Sequence, residues 1–163
     1  MPLETTQWSE FRLGDLFDVE LSKGDVKLDE VESGNIPLIS SGETNNGLVG
    51  YISADGDGKA EIFPSNVMTV DMFGNAYYQD TPFYAVSHGR VNILKPKYHF
   101  NQYIGLFLSA IIKQEQYRYS YGRAVYSNVA SNMIVRLPST KKDAPDWDWM
   151  ENYIKSLPYS DRI

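Results

Sequence analysis

The sequence predicts an α/β protein of the α+β kind: a curved mixed or antiparallel β-sheet, or a distorted barrel, carrying a packed amphipathic helix and a short C-terminal helix. Three observations lead there. From Ile36 to Leu94, short apolar runs alternate with turn residues at the spacing of a strand-rich domain. Ile104, Phe107, Leu108, Ile111 and Ile112 then repeat at i, i+3, i+4, i+7 and i+8, which is one face of a helix. Near the end, Trp147, Met150, Ile154 and Leu157 repeat at helical spacing between Pro145 and Pro158. A chain of 163 residues fits one domain with room for a sizeable core.

Thr6 to Val19 opens with Trp8, Phe11, Leu13, Leu16 and Phe17, interrupted by Gly14. It reads as a strand or turn followed by one helical turn at 14–17. Ser22-Lys23-Gly24 is a polar loop, and the charged stretch 25–34 is expected to be exposed. Seven strands follow, at 36–40, 50–52, 60–63, 67–70, 76–78, 83–86 and 91–94. They are separated by Ser41-Gly42, Asn45-Asn46-Gly47, Asp55-Gly56-Asp57-Gly58, Pro64-Ser65-Asn66, Gly74-Asn75, Asp80-Thr81-Pro82 and His88-Gly89. Asn101 is placed to cap the long helix, and the basic turn from Lys113 to Arg118 suits its C-terminal end. A final strand spans 133–137. Asp143 or Asp146 caps the last helix. Its four apolar positions form a seam about one and a half heptads long. The domain proper is assigned to 1–140, and 141–163 to a short helix that contacts a partner or a second copy.

Composition narrows the function classes. Without cysteine there is no disulfide, thiol nucleophile or Cys-based zinc site. No run is long enough to span a membrane, and the first ten residues do not resemble a signal peptide, so a cytoplasmic protein is expected. The net charge is −6, yet Val86 to Arg136 holds Arg90, Lys95, Lys97, Lys113, Arg118, Arg123 and Arg136 against Glu115 alone. That stretch carries +6 and the remainder about −12. It also holds Tyr98, Tyr103, Tyr117, Tyr119, Tyr121 and Tyr126. Cations interleaved with aromatic rings fit a polyanion-binding face. They also fit an ordinary solvated surface with tyrosines packed beneath it.

Two loops are the leading candidates. Gly42-Glu43-Thr44-Asn45-Asn46-Gly47 frames four polar residues with glycines. Its backbone amides could meet phosphates, and Asn45 or Asn46 could pair with an adenine edge. The same residues also spell a hairpin turn. It is not a P-loop, since it lacks Gly-Lys-Ser/Thr and a following helix. Tyr117 to Arg123, with Lys113 behind it, could follow a phosphate track or reach a guanine edge.

Chemistry is thinly represented. His88 and His99 lack metal-ligand spacing, the Asp55/Asp57 loop lacks the closing glutamate of a calcium site, and Ser87-His88-Gly89 is not a nucleophile elbow. No dinucleotide-type glycine turn and no Asn-Pro-Pro-Tyr or Asp-Pro-Pro-Tyr tetrapeptide is present.

In order along the chain, Trp8-Ser9-Glu10-Phe11-Arg12-Leu13-Gly14-Asp15-Leu16-Phe17 resembles the opening of a target recognition domain from a type I restriction-modification specificity subunit. Ile36-Pro37-Leu38-Ile39-Ser40 through Gly42–Gly47 to Gly50-Tyr51-Ile52 resembles it too. So do Ala76-Tyr77-Tyr78-Gln79, Pro82-Phe83-Tyr84-Ala85, Tyr119–Arg123, Ile134–Pro138 and the ending from Pro145 to Leu157. The resemblance spans nearly the whole chain. It implies a non-catalytic domain that reads half of a split double-stranded DNA sequence. It also implies a partner adenine methyltransferase subunit that supplies S-adenosylmethionine, with no cofactor on this chain, and a separate subunit that cuts. Full specificity subunits carry two such domains joined by long paired helices. This chain has one, so a half-subunit that dimerises, an excised piece and a stand-alone reader are all open.

On that reading DNA contacts are expected from Lys23, Thr44, Asn45, Asn46, Arg90, Lys113, Arg118, Tyr119, Tyr121 and Arg123, and partner contacts from Trp147, Met150, Ile154 and Leu157. Two other classes stand beside it: a β-rich carbohydrate or small-ligand module using its aromatic rings, and a metal-dependent nuclease using Asp71 or His88.

Overall fold

The computed structural model describes residues 3–22, 24, 26–86 and 90–163. Lys23 and His88 lie outside the described residues. Ten strands and four helices follow in the order β1 (Ser9–Arg12), α1 (Leu13–Leu16), β2 (Phe17–Leu21), β3 (Ser33–Ile39), β4 (Leu48–Ile52), β5 (Ile62–Phe63), β6 (Val67–Val70), β7 (Ala76–Gln79), β8 (Phe83–Ala85), β9 (Asn92–Pro96), α2 (Gln102–Lys113), α3 (Ser127–Asn132), β10 (Ile134–Leu137) and α4 (Trp147–Ser156).

The strands do not close into a barrel. They form an antiparallel sheet in the order β2-β9-β6-β7, a mixed sheet in the order β4-β3-β8-β5, and a two-stranded ribbon of β1 and β10. In the mixed sheet only β3 and β8 run parallel. Alternating side chains explain the layers. Ile93 and Val67 join Ile39, Phe63, Phe83 and Ala85 between the two sheets. Their neighbours Leu94, Met68 and Val70 face the helices. Tyr84 and Leu38 point to the far side of the mixed sheet, where Ile52 of β4 lies in the same cluster and Val26 packs against them. With both faces of these strands covered, the segments read as unbroken apolar runs.

Helix α2 forms where the periodicity places it, and the Asn101 side chain accepts from the N–H groups of Tyr103 and Ile104. It buries Ile104, Phe107, Leu108 and Ile112. Gly105 lies against β7: a Cβ there would stand 2.4 Å from the Tyr78 ring, so only glycine permits this close approach. Helix α4 starts at Asp146, whose carboxylate accepts from Trp149 N–H, and not at Asp143. Its Met150 and Ile154 are buried in the same core as α2. Strand β2 and helix α3 were not expected. β2 runs antiparallel to β9, and Glu20 and Asp18 reach Lys95 at 2.8 Å and Lys97 at 3.7 Å. Asp25 lies outside the described residues; 26–34 is mostly exposed as expected, but Val26 is buried under the mixed sheet.

Glu151 ties the start of α2 to α4. Hydrogen bonds from Lys155, Asn101 and His99 hold its carboxyl at about 2, well below the usual carboxylate range. A carboxyl depressed on folding adds stability above its unfolded value near 4.5, and that stability is lost as pH falls from there toward about 2. Urea denaturation of Glu151→Gln should therefore show a loss of stability at pH 7 that narrows steadily between pH 4.5 and 2. A loss independent of pH would contradict the linkage.

Candidate nucleic-acid interface

The loop between β3 and β4 is a built turn. Ser40 N–H donates to Gly47 O at 2.9 Å, and Gly47 N–H donates to Thr44 O at 3.1 Å. Asn45, Asn46 and Gly47 are left-handed in succession, with φ of 51°, 59° and 75°. Asparagine tolerates that region and glycine enters it freely. The Asn46 amide donates to Tyr78 O at 3.1 Å and to Gln79 Oε1 at 3.0 Å. Gln79 returns a bond to Asn46 O at 3.2 Å and donates to Thr69 Oγ1 at 3.1 Å. Pairing with adenine needs a free amide donor. The Asn46 donor is committed to β7, so this residue clamps the loop and is not placed to read a base. Thr44, Asn45 and Asn46 are all exposed, and only the Asn46 amide is engaged in this way.

Next to it, the turn from β6 to β7 is organised by Asp71, which is 3% exposed. Its Oδ1 accepts from Phe73 N–H at 2.9 Å and Asn75 N–H at 3.0 Å. Its Oδ2 accepts from Gly42 N–H at 2.9 Å and Asn75 Nδ2 at 2.8 Å. Four bonds fill the carboxylate's acceptor positions. Asp71 is thus a structural carboxylate, and the nuclease role fails for it. Among the described residues, no three His, Asp or Glu side chains form a metal-binding group. Asp57 closes its own turn by accepting from the N–H groups of Lys59 and Ala60, both at 2.8 Å.

At the end of α2, Lys113 Nζ lies 4.3 Å from the Tyr77 ring centroid, and burial pushes its pKa down. Arg118 is paired with Glu115 and also covers the Tyr117 ring. Tyr119 packs into the core beside Gly74, so it supports the loop from within; burial raises its hydroxyl pKa. Ser120 and Arg123 exchange backbone bonds of 3.1 and 2.9 Å, leaving Tyr121-Gly122 at the tip of a tight turn. Tyr121 is 83% exposed and meets the Phe73 ring edge-on at 5.0 Å. Arg123 is exposed, and among the described residues it forms no salt bridge. Arg90, with φ of 50°, lays its guanidinium 4.3 Å from the Tyr126 ring centroid.

These loops share one end of the stacked sheets. β3 and β8 run parallel and end there together; Val86 N–H donates to Ile39 O. β6 ends beside the start of β9, with Val70 opposite Asn92. Val125 N–H donates to Met72 O at 2.8 Å, and Asn92 Nδ2 donates to Val125 O at 2.9 Å, so the loop after α2 closes over the same end. Thr44, Asn45, Arg90, Lys113, Tyr121 and Arg123 are brought together in this way.

The cations as a group are not. Lys95 and Lys97 sit at the far end of β9 and pair with acids on β2. Arg136 donates to the backbone oxygens of Thr5 and Trp8. The +6 stretch is therefore split between two ends of the sheet and the ribbon, which corrects the expectation of one positive side. The partner seam is corrected too. Met150 and Ile154 are spent on α2, and Trp147 is half-buried and stacks on Tyr98 at 6.3 Å; of the four, Leu157 alone is exposed. A groove of about 760 Å³ between the ribbon, α3 and the end of α2 shares Arg118 and Tyr119 with the candidates.

Reasoning from sequence missed Asp71, Asn75 and Gln79 as the groups that hold the loops. An aspartate two residues before Phe73-Gly74-Asn75 is a side-chain-closed turn signature that could have pointed to the first.

The layered α+β scaffold thus gathers five loop residues and Lys113, at the end of α2, at one end of its sheets. Residues 5–158 match the family described as "Type I restriction modification DNA specificity domain". The chain is 31% identical, over 95% of its length, to the specificity subunit of a type II restriction enzyme from Heyndrickxia coagulans, and covers 45% of that protein. Its fold resembles the type I restriction-modification S subunit from M. genitalium (TM-score 0.64, 18% identity, 96% of this chain and 40% of that one). It also resembles the HsdS subunit from Thermoanaerobacter tengcongensis (TM-score 0.62, 12% identity, 99% and 38%). The chain belongs to the restriction-modification DNA specificity domain family. It spans less than half the length of these relatives. The family match gives no support to the carbohydrate-binding reading.

Proposed function

We propose that this chain reads double-stranded DNA with the loop end of its sheets. Methyl transfer and cleavage are left to other polypeptides in the cytoplasm. The observation that carries this is the convergence of Thr44, Asn45, Arg90, Lys113, Tyr121 and Arg123 at one end of a domain from a DNA-specificity family. Lys113 and Arg123 are assigned to phosphates; Asn45, Arg90 and Tyr121 are assigned to base edges. The modification partner is an adenine methyltransferase subunit that carries S-adenosylmethionine. A second copy of this chain would supply the other half of a split site.

The acidity of α4 is compatible with this. Glu151 lies at the start of α2 and Lys113 at its end, about 18 Å apart along a 12-residue helix. The screening length in physiological salt is about 8 Å, so those acids do not repel a duplex at the loop end. The test is duplex binding across a salt series with the methyltransferase subunit present. Log K should fall by about 0.9 per phosphate contact for each decade of salt. A flat response would remove the proposal.

A further inference from the structure

We propose that Asp71 is the positioning residue of this interface: its carboxylate locks the 40–47 loop to the 114–126 loop, so that both address one stretch of duplex as a unit. The inference rests on the DNA-reading assignment above. On one side Asp71 holds Gly42 N–H at 2.9 Å, and Tyr77 OH fixes the same residue by donating to Gly42 O at 2.8 Å. On the other side Asp71 orients the Asn75 amide at 2.8 Å, leaving Asn75 Oδ1 to accept from Gln116. Met72 O takes Val125 N–H, and Phe73 meets Tyr121, so every residue from 71 to 75 except Gly74 bonds to or stacks on one of the two loops. Gly74 has φ of 81° and allows the turn.

A carboxylate almost never sits in a core without a cation. Among the described residues no lysine or arginine pairs with Asp71. Its burial is offset by four N–H donors, three from the backbone, with the charge strengthening each bond. Asparagine is nearly the same size, but it would turn one oxygen into a donor facing donors. Loops fixed before binding lose little freedom on contact, and their spacing sets which base positions they reach together.

The experiment is selection from a randomised duplex pool by the complex with its methyltransferase subunit. It compares the natural chain with Asp71→Asn and Gln116→Ala, each checked for folding by circular dichroism. The natural chain should enrich a motif. Folded Asp71→Asn should keep its salt-dependent binding to the pool and lose about tenfold in preference for the motif over a scrambled duplex, the scale of one mismatched pair. Gln116→Ala removes the bond by which Asn75, oriented by Asp71, holds the 114–126 loop, and leaves the Gly42 bond in place; it should lose preference at a subset of the motif's positions, and it carries the test alone if Asp71→Asn does not fold. Undiminished preference in a folded variant overturns the latch. A natural chain that enriches no motif and binds without salt dependence overturns the DNA-reading assignment, and the latch with it.

Discussion

Replacing Lys113 and Arg123 together by alanine is expected to weaken duplex binding by roughly ten- to a hundredfold at low salt, and to flatten the slope of log K against log salt by about 1.8. These two are singled out because each holds its charge at the loop end without an acidic partner among the described residues. Lys113 rests on the Tyr77 ring and Arg123 stands in solvent beside the Tyr121 tip. Lys95→Ala and Lys97→Ala are the matched controls. They remove the same charge from the same basic stretch, but from the far end of β9, where Glu20 and Asp18 already neutralise it. Their slopes should stay within error of the natural chain. Arg118→Ala should lie close to the controls, because Glu115 already occupies its guanidinium. Equal effects from all five substitutions would mean that binding answers to net charge and not to a defined face.

The controls also show where the sequence could and could not be read. Local patterns were reliable where one element decides its own structure. Val67–Val70 and the Asn101-capped α2 stand where period and capping place them. β2 was lost because Phe17, Val19 and Leu21 alternate over only five residues, directly after a helical turn. α3 was lost because Ser127–Asn132 is short, rich in Ser and Asn, and has no side-chain cap. Charge proximity in sequence misled for a geometric reason. A five-residue strand advances about 17 Å, so Arg90 before β9 and Lys97 after it stand at opposite ends of the sheet. The candidate loops were legible as polar turns. That the Asn46 amide is tied down was not legible, because its partners lie more than thirty residues away on β7.

Helix α4 poses the same question for the 1–140 and 141–163 division, and Met150→Ala answers it. Met150 is fully buried in the core shared by α2, α4 and the ribbon. Around it Trp149 stacks on Tyr153 at 5.2 Å, and Phe107 of α2 meets both rings edge-on at 6.0 Å. Removing a buried methionine side chain should cost about 2–5 kcal/mol. In a domain of this size that lowers the melting temperature by about 4 °C or more. Leu157→Ala, at the exposed end of the same seam, should cost only about 0.5 kcal/mol. A helix serving only as an external contact would give the reverse order: little change at Met150 in the isolated chain, and loss of partner binding from both. If Met150→Ala instead melts the chain in one transition with α2, then 141–163 is part of the domain that holds the DNA-facing loops. Any partner contact here would then use the exposed side of α4, with Trp149 and the following Leu157 as its exposed large apolar residues, and cannot use the buried half of the seam.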